Sequence, residues 1–159
     1  MARGPLVKFD FDPFEIAGVS RRKFSDSDIS EIMSDVSDLV KEKVLDYVGS
    51  GESPVSGRGA FKKLNPEYAK DQKGGNRTAN LELEGDLLDS VKVIQAGNKL
   101  RLTVDEDQQP KADGHNNFSG ESKLPVRRFI PYAKQDETFK SDIIKTIRDI
   151  VLEKLPDGE

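Results

Sequence analysis

The chain has no cysteine, which excludes disulfides, zinc-thiolate sites and thiol catalysis. It has one histidine, His115, so no second imidazole is available to complete a metal site or an alternative catalytic base. No apolar run approaches the roughly 20 residues that cross a bilayer, and the start, MARGPLVKFDF, lacks the apolar stretch of a signal peptide. These absences predict a soluble chain, made in the cytoplasm, with no membrane partner. A basic excess is missing too. Lys and Arg number 25 against 29 Asp and Glu, a net charge of −4, so the overall field does not attract nucleic acid or anionic lipid. Hydrophobic residues make up only 35% and charged residues 34%, with 13 Gly and 8 Pro in 159 residues. That balance predicts one domain, 1–159, with a compact centre and long loops.

What is present is organised around Asn80 to Val104, NLELEGDLLDSVKVIQAGNKLRLTV. Leu81 and Leu83 alternate with Glu82 and Glu84, a turn follows Gly85, and Ser90 to Ala96 is a β-branched run. Gly97-Asn98 closes a hairpin, and Leu100, Leu102 and Val104 then alternate with Lys99, Arg101 and Thr103. One face of this ribbon is apolar, and two strands alone are unstable, so helices must cover it. Leu6 to Phe11 also alternates and reads as a short strand that Pro13 ends, followed by an irregular connection to Arg22.

Ser25 with Asp28 opens a helix in the manner of a capping box. Ile29, Ile32, Met33, Val36, Leu39, Val40, Val44 and Tyr47 keep the helical period until Gly49 stops it. A second helix is predicted from about Glu137 to Leu155, with Phe139, Ile143, Ile144, Ile147, Ile150 and Val151 on one side. The expected fold is therefore α+β. A mainly antiparallel sheet is built around the hairpin, with Leu6 to Phe11 or Leu124 to Ile130 added, and packs against a long N-terminal and a C-terminal helix. Two long loops, about 50–80 and 105–123, complete the chain. Val55, Phe61, Leu64 and Tyr68 are spaced anchors in the first loop, where Pro66 opens a candidate helical turn over 65–70.

Candidate chemistry is sparse. Gly49-Ser50-Gly51 and Gly57-Arg58-Gly59 are not followed by the Gly-Lys-Ser/Thr that grips phosphate, so a loop is the better reading. Asp105, Glu106, Asp107, Asp113 and His115 are suitable cation ligands by type but lack calcium-loop spacing, and a solvated acidic loop is preferred. Pairing His115 with Ser119 or Ser122 would place a triad in a loop, where preorganisation is poor. We expect no enzyme, no catalytic residue, no cofactor and no metal. Arg58, Lys62, Lys63, Lys70 and Lys73, interleaved with Phe61 and Tyr68, form a basic arm over 58–73. It is the basis of the alternative reading, a DNA-binding or DNA-processing factor.

Three segments together resemble a known family. Pro54-Val55-Ser56-Gly57-Arg58-Gly59-Ala60-Phe61 with Leu64 and Tyr68, then Asn80 to Ser90, then Leu124-Pro125-Val126-Arg127-Arg128-Phe129-Ile130 are similar, in that order, to the tailed-bacteriophage virion morphogenesis proteins of the neck and tail-completion group. Glu84 stands where a threonine is common, and Gln108-Gln109-Pro110 interrupts what is often a strand leading to a histidine and glycine. The resemblance implies a structural virion protein. It implies a homo-oligomeric ring of six subunits, with twelve as the other closed arrangement, joining the head connector to the tail and leaving a DNA channel. Its implied neighbours are the phage connector and the tail-tube or tail-terminator proteins, and its implied location is the neck, after synthesis in the host cytoplasm. The expected assembly residues are Val55, Phe61, Leu64, Tyr68, Pro125, Arg127, Arg128 and Phe129. A channel that passes DNA should not bind it, since each neutralised phosphate adds affinity. Either Asp105, Glu106 and Asp107, or the helix face with Asp35, Asp38 and Glu42, is therefore expected to face the channel; ordinary solvated surface is the alternative for both.

Overall fold

The computed structural model describes residues 6–61, 85–122 and 126–156. Strand β1 (Lys8–Phe11) realises the expected alternation, with Phe9 and Phe11 buried and Lys8 and Asp10 on the wetter side. Pro13 ends the strand and also opens helix α1 (Pro13–Ala17), because proline costs nothing where the amide has no helical partner. The Asp12 side chain caps this turn by accepting from the Phe14 amide at 3.0 Å, and Gly18, at φ 71°, closes it. The connection expected to be irregular is thus a capped turn of helix followed by a 3-10 turn at Arg21–Lys23.

Helix α2 (Asp26–Gly49) starts where the cap predicts, with Ser25 Oγ accepting from the Asp28 amide at 3.1 Å. Asp26 and Asp28 sit in its first turn, where the helix dipole favours negative charge. Its buried positions, Ile32, Met33, Val36, Val40, Val44 and Val48, are spaced by one helical stripe. Each such side chain contributes roughly 1.5–3 kcal/mol by leaving water, and among the described elements none has a longer buried row.

Helix α3 (Gly85–Asp89) leads into β2 (Lys92–Ala96) and β3 (Lys99–Thr103), joined through Gly97 at φ 63°. The sheet is antiparallel in the order β1-β3-β2, so the second strand of the hairpin is central. Phe9 faces Leu102 and Phe11 faces Leu100 in register. Of the two candidates for the third strand, the sheet takes Lys8–Phe11 from the first, and the described part of the second, Val126 to Ile130, forms no strand. The alternating stretch Leu81 to Glu84 and the candidate turn at 65–70 lie outside the described residues.

The stretch 105–123 differs from the expected loop. It holds a 3-10 turn at Glu106–Gln108 and helix α4 (Gln109–Asn116), with Pro110 in its first turn. Gln109 fastens this helix to the sheet, accepting from the Val7 amide at 2.8 Å and donating to Thr103 Oγ1 at 3.1 Å and Val104 O at 3.2 Å. The last helix, α5 (Ser141–Glu153), begins four residues after the expected start at Glu137. It packs on α1 and α2, while α2 also covers the hairpin. Phe139, just before α5, meets Phe9 and Phe11 edge to face at 5.2 and 5.1 Å, closing the core between helix and sheet.

Candidate assembly site

The glycine-bearing segment folds into a small hairpin. Glu52 bridges to Ala60, the Ser53 amide donates to Gly59 O at 3.1 Å, and the Phe61 amide donates to Gly51 O at 2.8 Å. Gly57, at φ 75°, supplies the left-handed turn that side chains resist. This hairpin docks on the residues leading into α5. Val55 bridges to Phe139, the Ser56 amide donates to Thr138 O at 2.8 Å, and the Lys140 amide donates to Pro54 O at 2.9 Å.

The Val126–Ile130 segment closes the same assembly from the other side. Ser53 Oγ donates to Arg128 O at 2.5 Å. Arg128 is only 3% exposed, and a buried charge must be paired and hydrogen-bonded. Its Nη1 donates to Glu137 Oε2 at 3.0 Å and to Gln135 Oε1 at 2.8 Å, and its Nε donates to Asn116 O at 2.8 Å. The guanidinium also lies against the stacked Phe118 and Tyr132 rings, 5.6 and 5.5 Å from their centres. Burial pushes the Arg128 pKa below its ordinary value and Glu137 pushes it back up; a guanidinium remains charged under both. Glu137 is the shared acceptor, since Arg58 Nε reaches Oε2 at 2.8 Å and the Tyr132 amide reaches Oε1 at 2.9 Å. One carboxylate thus joins the glycine-bearing hairpin, the arginine segment and the start of α5.

Asn116 holds the arginine segment in place of a neighbouring strand. Fully buried at the end of α4, it accepts from the Phe129 and Ile130 amides at 2.8 and 3.0 Å through Oδ1 and donates to Ala112 O at 2.9 Å through Nδ2. Its neighbour Asn117 takes the left-handed conformation that ends the helix. Asn116, Glu137 and Ser53 carried no sequence signal, because each acts on residues distant along the chain.

These facts correct the expected assembly residues. Val55, Phe61 and Phe129 are buried in the chain's own core, and Arg127 and Arg128 are buried beside it, so none is an exposed anchor for another subunit. Leu64, Tyr68 and Pro125 lie outside the described residues, as do Lys62, Lys63, Lys70 and Lys73. Arg58, the described member of the basic arm, is paired with Glu137. His115 is also corrected: it is buried in the last turn of α4 rather than in a loop. Ser119 Oγ donates to Asp113 and Ser122 Oγ to Gly114 O, so both hydroxyls have local partners. Among the described residues, no three His, Asp or Glu side chains are grouped closely enough to hold a metal ion.

Asp105, Glu106 and Asp107 are exposed at the end of β3, with Asp105 paired to Lys92 at 3.0 Å. Asp35, Asp38 and Glu42 are exposed along α2. Comparison of this chain with protein-family models, curated proteins and solved structures finds no match.

Proposed function

We propose that this chain is a structural virion protein of a tailed phage, a subunit of a neck or tail-completion ring that joins head connector to tail around a DNA channel. The observation that supports this reading most is the meeting of two segments that carry the family resemblance. Pro54 to Phe61 and Val126 to Ile130 are far apart in sequence, yet Ser53, Glu137 and Arg128 bind them into one buried base. The third segment reaches the core through Leu87, which is fully buried. A rigid base at both ends of residues 62–84 suits an arm that contacts a neighbour, since anchored arms let a small subunit cover a large surface.

Contacts between subunits then fall to the arm, with Leu64 and Tyr68 as its apolar residues, in a head-to-tail arrangement that closes into a ring. The acidic groups Asp105, Glu106 and Asp107, or Asp35, Asp38 and Glu42, face the channel and keep DNA from binding its wall. The pairing of Arg58 with Glu137 takes one cation from the competing DNA-binding reading. Imaging of phage particles that carry the chain without residues 62–84 tests the proposal. Heads without tails are expected, and complete necks would overturn it. A salt-dependent shift of labelled duplex, abolished by Lys62→Glu with Lys63→Glu, would favour the DNA-binding reading instead.

A further inference from the structure

We propose that the open groove on the outer face of the sheet receives the basic segment 62–73 of a neighbouring copy of this chain. This deepens the ring reading and rests on it for the identity of the partner. The groove has a volume of about 960 Å³, and its lining includes Leu6 and Ile94, which are 51% and 40% exposed. Among the described residues only two other large apolar side chains are comparably open. Apolar residues exposed together in a concave surface mark an interaction site more than scattered ones do. The groove borders β2, which ends the sheet, so its outer backbone edge pairs with no strand among the described residues.

Charge identifies the occupant. The cations lining the groove, Lys92 and Arg101, are already paired with Asp105 at 3.0 Å and Asp10 at 2.8 Å. The lining also brings Asp113 and Glu121. Asp113 accepts from the Ser119 amide and hydroxyl, which fix its position without cancelling its charge. The groove therefore combines apolar and acidic lining. Segment 62–73, KKLNPEYAKDQK, has the matching character: four lysines against Glu67 and Asp71, with Leu64 and Tyr68 between them. Complementary charge of this kind sets which partner docks and in which register.

The test uses a fluorescein-labelled synthetic peptide of residues 62–73 and the full chain at concentrations where it sediments as a monomer. Saturable binding is expected, weaker in higher salt, and about threefold weaker with Glu121→Gln. Ile94→Thr, which keeps β-branching at an exposed position, is expected to weaken binding without lowering stability. Absence of saturable binding, or equal binding by both variants, overturns the proposal. Binding only to a chain whose own Lys62, Lys63, Lys70 and Lys73 are changed to Gln also overturns it, because the groove is then filled by the same chain's segment. No phage component is present in this experiment, so its failure leaves the ring reading standing, and an absent ring leaves the docking measurable.

Discussion

Replacing Glu137 with Ala should loosen the base from which the arm emerges. Arg128 is 3% exposed and the Glu137 side chain 11%, so the change leaves a buried guanidinium without its counter-charge. Breaking a buried pair from one side costs about 3–5 kcal/mol. Arg128 keeps Gln135, the Asn116 carbonyl and the Phe118 and Tyr132 rings, which points to the lower end, about 3 kcal/mol. For a chain of this size that corresponds to a fall in melting temperature of about 6–12 °C. Urea denaturation measures the loss directly, and hydrogen exchange should show faster opening at the Ser56 and Thr138 amides, which the docked hairpin protects. Arg58→Ala is the control. Its side chain is 32% exposed, and the loss should stay below about 1 kcal/mol. Changing both partners, Arg128→Met with Glu137→Leu, should recover much of the loss, since the one charge left without its partner, Arg58, is partly exposed to water. The reasoning is refuted if Glu137→Ala stays within about 1 kcal/mol of wild type, or if the double variant is less stable than the single one.

Three further outcomes are expected. Val36→Asp and Ile147→Asp each place a charge at a fully buried position and should prevent folding, seen as loss of a cooperative melt; a wild-type melt in either would contradict the core assignment. Asn116→Ala leaves the Phe129 and Ile130 amides without their acceptor and should cost about 2–3 kcal/mol by denaturation, with a loss under about 0.5 kcal/mol counting against the pin. Asp10 is held below the usual carboxylate pKa, chiefly by its hydrogen bond from Arg101 and then by Lys8, with burial opposing. A lowered folded pKa contributes stability above the unfolded value, about 3.9, and loses it as pH falls through the folded one. Wild type and Asp10→Asn should therefore differ at pH 7 and converge in acid, and a constant gap would refute this.

Legibility followed the source of burial. Helix α2 and strands β1 and β3 could be read because apolar residues fill their inner faces at the helical or strand period. Helix α4 could not, since its buried residues are Ala112, His115 and Asn116, two of them polar, and the acidic residues before it suggested solvated loop. Pro13 signalled the end of a strand and gave no sign that it also starts a helix. The site was less legible than the fold. Val55, Phe61 and Phe129 stand in irregular stretches, and an irregularly placed aromatic looks the same whether it fills its own core or a neighbour's. The shared carboxylate of Glu137 depends on contacts with residues far along the chain, which no local spacing encodes.

The central claim is that the chain is a ring subunit at the head-to-tail junction. Its most direct test is to count and locate the chain in purified phage particles, by quantitative mass spectrometry together with electron microscopy of particles labelled on the chain's N-terminus. The account predicts six or twelve copies per particle, all at the neck. Particles that lack the chain, or carry it elsewhere than the neck, would contradict it.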